Sequence, residues 1–149
     1  MIRNMKPADI PAVMEIWLNT NIKAHVFIAS DYWRKNYGLT KAMMSDADIY
    51  VYEREGSIYG FVGLMKDYIA GIFVDEAYQG SGIGKSLLDY VKQQKDELVL
   101  HVYEKNKGAV RFYLREGFVK EEAGVEEENQ ETEYRMRWKK DELREKSGI

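Results

Sequence analysis

The sequence predicts a mixed α/β domain in which a central, mostly antiparallel and twisted sheet is flanked by about four helices. Three observations support this class. The chain has 149 residues, a length that suits one domain. Residues 49–74 follow the two-residue period of a strand meander. Residues 9–44, 84–96 and 109–116 place apolar side chains at helical spacing. The predicted element order is β-α-α-β-β-β-α-β-α-β-β.

The N-terminal third of the chain predicts one strand and two helices. Residues 2–5 form a short strand candidate, and Asp9 is positioned to cap the first helix. Apolar residues in that helix recur at i, i+3, i+4 and i+7, namely Ile10, Val13, Met14 and Trp17. A second helix is predicted over residues 30–44. The aromatic segment 25–28 connects the two helices.

The rest of the chain predicts six strands and two helices. The strands are expected at residues 49–52, 58–65, 68–74, 98–103, 118–119 and 134–138. A glycine-rich loop precedes the third helix, and the fourth helix stops at Gly117. The acidic run between the last two strands, residues 121–133, is interpreted as a solvated loop, or as an acidic border that attracts a cationic acceptor. We expect one domain over residues 1–140 and a frayed polar tail over residues 141–149.

Composition excludes several classes of function. A net charge of −3 offers no basic field for nucleic acid. The absence of cysteine rules out disulfides, iron–sulfur clusters and an acyl group held on a thiolate. Two histidines cannot build a three-histidine metal site, so no metal is predicted. The sequence contains no apolar stretch of membrane-spanning length and starts without a signal-type segment, so we expect a cytoplasmic protein that contacts no membrane.

The most informative segment is the glycine-rich loop, residues 79–86, which lies between an apolar strand and a helix. A Walker A loop places four residues between its glycines, whereas three separate Gly80 from Gly84. A dinucleotide-binding loop has a glycine where Lys85 stands and follows the first strand of its domain. Backbone amides of glycines at a helix N-terminus still favour a phosphate or pyrophosphate. The alternative is a turn that only reverses the chain.

Two motifs together resemble one known family. Gln79, Gly82 and Gly84 match Gln/Arg-x-x-Gly-x-Gly/Ala, and residues 106–118 match Asn-x-x-Ala-x-x-Phe-Tyr-x-x-x-Gly-Phe at each fixed position. On these residues the chain resembles the GNAT N-acetyltransferases, and in particular small single-domain bacterial members, over nearly its whole length. The resemblance implies a GNAT-like fold and acetyl-CoA as the acetyl donor.

The resemblance also implies a donor site between two splayed strands. The pantetheine arm is expected to pair with one strand, and a β-bulge near Phe73 or Val74 is expected to free an N–H for the thioester carbonyl. The pyrophosphate is expected on the glycine-rich loop. The implied donor-binding residues are Ile72, Phe73, Val74, Gln79, Gly80, Ser81, Gly82, Ile83, Gly84, Lys85, Asn106, Ala109 and Tyr113.

The resemblance assigns Tyr113 the role of proton donor to the departing thiolate; without the motif, Tyr113 is a core aromatic residue. Candidate bases for the acceptor amine are Glu104, Tyr68, His25 and a water relay, whereas His101 is interpreted as structural. The acceptor side is expected to be bordered by His25, Phe27, Trp33 and Tyr68, with core packing as the alternative for these aromatic residues.

The leading hypothesis for function is direct transfer of an acetyl group from acetyl-CoA to a primary amine in a ternary complex. The acceptor is a protein lysine or a small amine such as a polyamine. A silent acyl-CoA-binding module of the same fold is the first alternative, and a nucleotide-type phosphate-binding enzyme is the second. The protein is expected to be a monomer or a homodimer.

Overall fold

The sheet has seven strands, all of them within residues 1–140, the part of the chain that the computed structural model describes. The predicted polar tail, residues 141–149, lies outside the described residues. The strands are β1 (Ile2–Asn4), β2 (Asp48–Arg54), β3 (Ser57–Met65), β4 (Tyr68–Val74), β5 (Glu97–Tyr103), β6 (Val119–Glu126) and β7 (Glu131–Lys139). Their order across the sheet is β1-β2-β3-β4-β5-β7-β6. Every neighbouring pair is antiparallel except β4 and β5, so the predicted sheet is confirmed.

Five α-helices in the described part of the chain cover the two faces of the sheet. They are α1 (Ile10–Ala24), α2 (Ser30–Lys35), α3 (Tyr37–Met43), α4 (Ile83–Lys92) and α5 (Lys107–Arg115). The predicted single helix over residues 30–44 is wrong, because Asn36 separates α2 from α3. The Asn36 side-chain nitrogen donates to the carbonyl of Tyr32 at 2.7 Å. Such local side-chain bonds compete with helix continuation.

One hydrophobic cluster lies on each face of the sheet. The buried side chains of α4 pack with β3, β4 and β5 on the first face, together with Tyr113 from α5. The buried side chains of α1 and α2 pack with β2 and β3 on the second face. We call these the donor face and the acceptor face. Because strand side chains alternate between faces, this division shows which face each side chain of β4 and β5 occupies.

Candidate active site

The central strands β4 and β5 separate and leave a wedge-shaped gap in the middle of the sheet. They meet at one register pair, Tyr68 with Val99, and the Val99 N–H donates to the carbonyl of Asp67 at 2.9 Å. Beyond this point each strand keeps its outer partner, β3 or β7, over its full length. Backbone groups that face the gap therefore have no strand to pair with.

The inner edge of β4 exposes the backbone of two residues to this gap. The Asp75 N–H donates to the carbonyl of Tyr59 on β3 at 2.8 Å. Since hydrogen-bonded and non-hydrogen-bonded pairs alternate along antiparallel strands, the Phe73 backbone also faces β3, whereas Ile72 and Val74 face the gap. An extended ligand with amide groups can pair with such an edge. The structure thus directs Ile72 and Val74 to the gap, but not the backbone of Phe73.

The expected bulge near Phe73 or Val74 is wrong, because the structure places it earlier in β4. Gly63 pairs with Gly71 and Leu64 pairs with Ile69, which leaves Ala70 as the extra residue. The neighbouring glycines carry no side chain, which eases the local bend that a bulge imposes. Strand β4 therefore bends close to its start, where it parts from β5.

The glycine-rich loop has the conformation of an anion cradle. Gly80 and Gly82 have φ values of 82° and 86°, in the left-handed region where glycine is favoured, and α4 begins directly after them at Ile83. The free amides and the dipole of a helix N-terminus favour an anion here. The side chains of this loop are partly engaged elsewhere. The Ser81 hydroxyl donates to the carbonyl of Tyr78, and Lys85 pairs with Asp89 and Glu116 at 3.2 and 3.1 Å.

A cleft of about 560 Å³ connects this cradle with the gap on the donor face. It is lined by Ile72, Val74, Tyr78, Gln79, Gly80, Gly82, Ile83, Gly84, Lys85, Gly108, Ala109, Phe112, Tyr113, Arg115 and Glu116. A groove of about 850 Å³ along α1 reaches the same strand edge from the acceptor face, where Ile72, Phe73 and Val74 line it together with Asn106. The gap is therefore bordered by a cavity on each face of the sheet.

Tyr113 lies on α5 with its ring in the core and lines the donor-face cleft. The side chain is 8% exposed, and its ring packs edge-on against Phe112 and Phe118. The hydroxyl has no hydrogen-bond partner among residues 1–140. Burial raises the pKa of this hydroxyl, and the nearby Tyr68 raises it further. Tyr113 is thus a core aromatic residue that also lines the cleft, and its hydroxyl stays protonated at neutral pH.

Asn106 and His25 join the acceptor side to helix α5. The Asn106 side-chain oxygen accepts from the Ala109 N–H at 3.4 Å and caps α5, while its nitrogen donates to Nε2 of His25 at 3.2 Å. Nδ1 of His25 donates to the carbonyl of Asn21 at 3.1 Å. Burial lowers the pKa of His25, so the ring is held neutral in one tautomer. Asn106 is expected to contact the donor, and the structure also gives it this capping role.

Aromatic rings form the wall of the acceptor side. His25 stacks on Trp33 at 5.2 Å and meets Tyr103 edge-on at 5.2 Å, and Phe27 meets Tyr103 at 5.5 Å. Trp33 is 8% exposed and belongs to the core of the acceptor face, with its indole nitrogen unpartnered among residues 1–140. Lys105 places its ammonium over the Phe27 ring at 5.7 Å. His25, Phe27 and Tyr103 form the outer layer of this wall, which we call the acceptor mouth. Trp33 packs beneath them in the core of the acceptor face.

The candidate bases Glu104 and Tyr68 occupy different surroundings. Glu104 accepts a hydrogen bond from the Tyr134 hydroxyl at 2.5 Å, and Tyr134 packs against the donor-face core. The Tyr68 hydroxyl lies 3.0 Å from Nδ1 of His101. The interpretation of His101 as purely structural overlooked this contact. The alternation of β5 indicates that His101 shares a face with Tyr103, but no sequence signal pairs it with Tyr68.

The acidic run is wrong as a solvated loop, because most of it lies in β6 and β7. Glu121 pairs with Arg137 at 2.8 Å, Glu131 pairs with Lys105 at 3.1 Å, and Glu126 accepts from the Tyr103 hydroxyl at 2.6 Å. The hairpin therefore contacts the end of β5 and borders the aromatic mouth. Glutamate is depleted in strands, so its repeated occurrence in this segment favoured a loop and explains the error.

Two absences apply to the described residues. Residues 1–140 contain no group of three or more histidine, aspartate or glutamate side chains placed to hold a metal ion. No helix in this part of the chain is long and apolar enough to cross a membrane.

Comparisons with known proteins agree with this geometry. Residues 45–120 match the family model of the acetyltransferase (GNAT) domain. The peptidyl-lysine N-acetyltransferase YiaC of Escherichia coli K12 is 36% identical over 93% of this chain and 96% of its own length. The peptidyl-lysine N-acetyltransferase YjaB of the same strain is 27% identical over 78% of this chain and 80% of its own length.

The fold is also found among solved structures. The solution structure of apo-form YjaB from Escherichia coli superposes with a TM-score of 0.82 at 23% identity, and it covers 93% of this chain and 96% of YjaB. The splayed strands, the glycine-rich loop and the match to the family model over half of the chain lead to one conclusion. The chain belongs to the GNAT family of acetyltransferases and is an N-acetyltransferase.

Proposed function

We propose that this protein transfers the acetyl group of acetyl-CoA directly to the ε-amino group of a lysine in a protein. The observation that carries the proposal is the gap between β4 and β5, bordered by cavities on both faces and flanked by Tyr113. A donor held on one face and an amine approaching from the other meet in this gap. The similarity to YiaC over nearly the whole chain supports a lysine as acceptor.

The residues around the gap fit an acetyl-CoA molecule. The Ile72 backbone and the Val74 N–H have no strand partner at the gap and match amides of the pantetheine arm, whereas the Val74 carbonyl accepts from the Gln79 side chain at 2.9 Å. The amides of Gly80, Gly82 and the first turn of α4 match the pyrophosphate. When bound, acetyl-CoA supplies the acetyl group as an activated thioester. An unpaired N–H of the β4 edge is positioned to stabilise negative charge on the carbonyl oxygen.

Tyr113 acts as the general acid in this proposal. Its side chain is buried, its hydroxyl is unpartnered among residues 1–140, and its raised pKa keeps the proton on the oxygen at neutral pH. A protonated hydroxyl beside the gap can donate to a departing thiolate. The sequence has no cysteine to hold the acetyl group between two steps, which supports transfer within a ternary complex.

The acceptor mouth suits the side chain of lysine. Phe27 and Tyr103 offer aromatic surface to its aliphatic stem, and Lys105 already places an ammonium over Phe27. Carboxylates of the β6–β7 hairpin lie close by, since Glu126 accepts from the Tyr103 hydroxyl at 2.6 Å and Glu131 pairs with Lys105 at 3.1 Å. A free polyamine is the second candidate acceptor, because these carboxylates also favour a small polycation.

A panel of amines tests the proposal. Release of the CoA thiol is measured with lysine peptides, a folded protein, spermidine and amino acids, and mass spectrometry locates the acetyl group on the product. We expect turnover with lysine peptides and acetylated lysine as the product. Turnover with spermidine but with no lysine-containing substrate would identify a polyamine, and not a protein lysine, as the acceptor. Acetyl-CoA binding without any turnover would identify a silent binding module and contradict the proposal.

A further inference from the structure

A tyrosine and a histidine meet across the narrow end of the gap. The tyrosine is one of the candidate bases, and the histidine has no catalytic role so far. Tyr68 is the first residue of β4, and His101 lies on β5. The Tyr68 hydroxyl is 3.0 Å from Nδ1 of His101. Tyr68 also forms the register pair with Val99 that joins the two strands. The contact therefore lies at the point where the strands separate.

His101 faces the acceptor side. Leu98, Leu100 and Val102 are buried in the donor-face core, so alternation along β5 directs His101 and Tyr103 to the opposite face. Tyr103 confirms this direction, because its ring contacts His25 and Phe27 at the acceptor mouth. Both residues are exposed to solvent, and Tyr68 has a relative accessible surface of 36%. The pair thus extends from the gap to solvent on the acceptor face.

The Tyr68 hydroxyl carries the proton that this contact can transfer. Burial raises the pKa of Tyr68, the nearby Glu133 carboxylate raises it further, and a hydrogen bond with the His101 backbone opposes them. Tyr68 therefore stays protonated at neutral pH, and it donates to Nδ1 in the His101 tautomer that carries its ring proton on Nε2. Charged or titratable neighbours of the pair are Glu133 and Arg135 on β7 and Tyr113 on α5.

We propose that Tyr68 and His101 form a proton relay that deprotonates the acceptor amine and passes the proton to solvent. The relay rests on the proposed function, in which an alkylammonium must lose a proton before its nitrogen can attack. The Tyr68 oxygen accepts the proton of the ammonium as its own hydroxyl proton moves to Nδ1 of His101. His101 then releases a proton to water from its exposed side.

The remaining steps of the reaction account for the other bonds and protons. The nitrogen lone pair forms the C–N bond, and the electron pair of the C–S bond leaves with sulfur. Tyr113 gives its proton to the sulfur and regains one from the second proton that the attacking nitrogen loses. Each turnover thus releases one proton to solvent, through His101.

Two single variants and their combination test the relay. We expect Tyr68→Phe and His101→Gln each to lower kcat/KM at least about 100-fold, the usual scale of general acid–base catalysis. Acetyl-CoA affinity measured by calorimetry should change less than about twofold, because neither side chain lines the donor-face cleft. The double variant should be no slower than the slower single variant, because residues that act as a unit are not additive.

Chemical rescue distinguishes proton transfer from packing. Added imidazole should restore part of the activity of His101→Gly, because a free imidazole can carry the proton that the missing ring carried. A His101 side chain that only packs against Tyr68 would leave His101→Gly without any response to imidazole. Asp48→Asn, an exposed carboxylate replacement on β2, which β3 separates from β4, is the matched control. It should retain wild-type activity and show no response to imidazole.

A measurement on the free protein needs no turnover. Side-chain ¹⁵N shifts should show the ring proton of His101 on Nε2 and a hydrogen bond at Nδ1, and Tyr68→Phe should shift the Nδ1 resonance. Wild-type activity that persists within threefold in both single variants, or an unmoved Nδ1 resonance of His101 in Tyr68→Phe, would overturn the relay alone. Wild-type protein that binds acetyl-CoA but acetylates no amine would overturn the proposed function, and the relay with it.

Discussion

At the level of single residues, the surroundings of Tyr113 decide its chemistry. The ring fills the core between Phe112 and Phe118, while the hydroxyl lines the cleft without a partner among residues 1–140. Burial disfavours the phenolate and so raises the pKa. A side chain in this position is rigid, and it keeps its proton until charge develops next to it.

Tyr113→Phe removes the proton donor and preserves the ring. We expect kcat to fall at least about 100-fold, whereas the Kd of acetyl-CoA stays within about twofold. The free energy of unfolding should change by less than about 1 kcal/mol, because the hydroxyl makes no hydrogen bond within residues 1–140 that the variant would lose. Calorimetry, a thiol-release assay and urea unfolding supply the three values. Unchanged kcat would assign Tyr113 to the core alone.

His25 gives a prediction for stability against pH. Burial lowers the pKa of His25 in the folded chain from 6.5, so below pH 6.5 the unfolded chain binds the extra proton first. The contribution of His25 is therefore fully present above pH 6.5 and is lost as the pH falls toward the lowered folded value. The free energy of unfolding, measured with urea at several pH values, should depend less steeply on pH in His25→Gln than in the wild-type protein. An identical slope in both proteins would contradict the neutral, bonded ring.

At the level of elements, the loop before α4 depends on glycine at a left-handed position. Gly82 has a φ of 86°, a conformation that costs other residues about 1–2 kcal/mol. Gly82→Val should weaken acetyl-CoA binding at least about tenfold, because the strained loop no longer directs its amides at the pyrophosphate. Gly38→Ala, in helix α3 with open space around it, is the matched control and should bind normally. Equal affinity in both variants would exclude the loop as the cradle.

Element boundaries show what local sequence can predict. The loop and α5 follow from glycine placement and helical spacing, and the structure has both at the predicted positions. The break at Asn36 depends on a side-chain bond to Tyr32, and the bulge at Ala70 depends on the register between β3 and β4. Both features arise from hydrogen bonds whose partners the spacing of apolar residues does not report. Local periodicity therefore predicted the elements but not their irregularities.

At the level of the whole molecule, the site forms where distant segments meet. Asn106 contacts His25, and His101 contacts Tyr68, across 81 and 33 positions of the chain. The motif residues Gln79, Gly82 and Tyr113 could be identified in advance because each motif is local. The relay pair could not, since its contact exists only after β4 and β5 become neighbours in the sheet.

The most direct test maps acetyl-CoA onto the backbone amides by two-dimensional NMR. The proposed donor site predicts the largest shifts at Ile72, Val74, Gly80 and Gly82, with β6 at the far edge of the sheet left unchanged. Two results would contradict the assignment of the gap as the donor site. One is a set of chemical-shift changes that cluster around Trp138 on β7, and the other is the absence of any change at saturating acetyl-CoA.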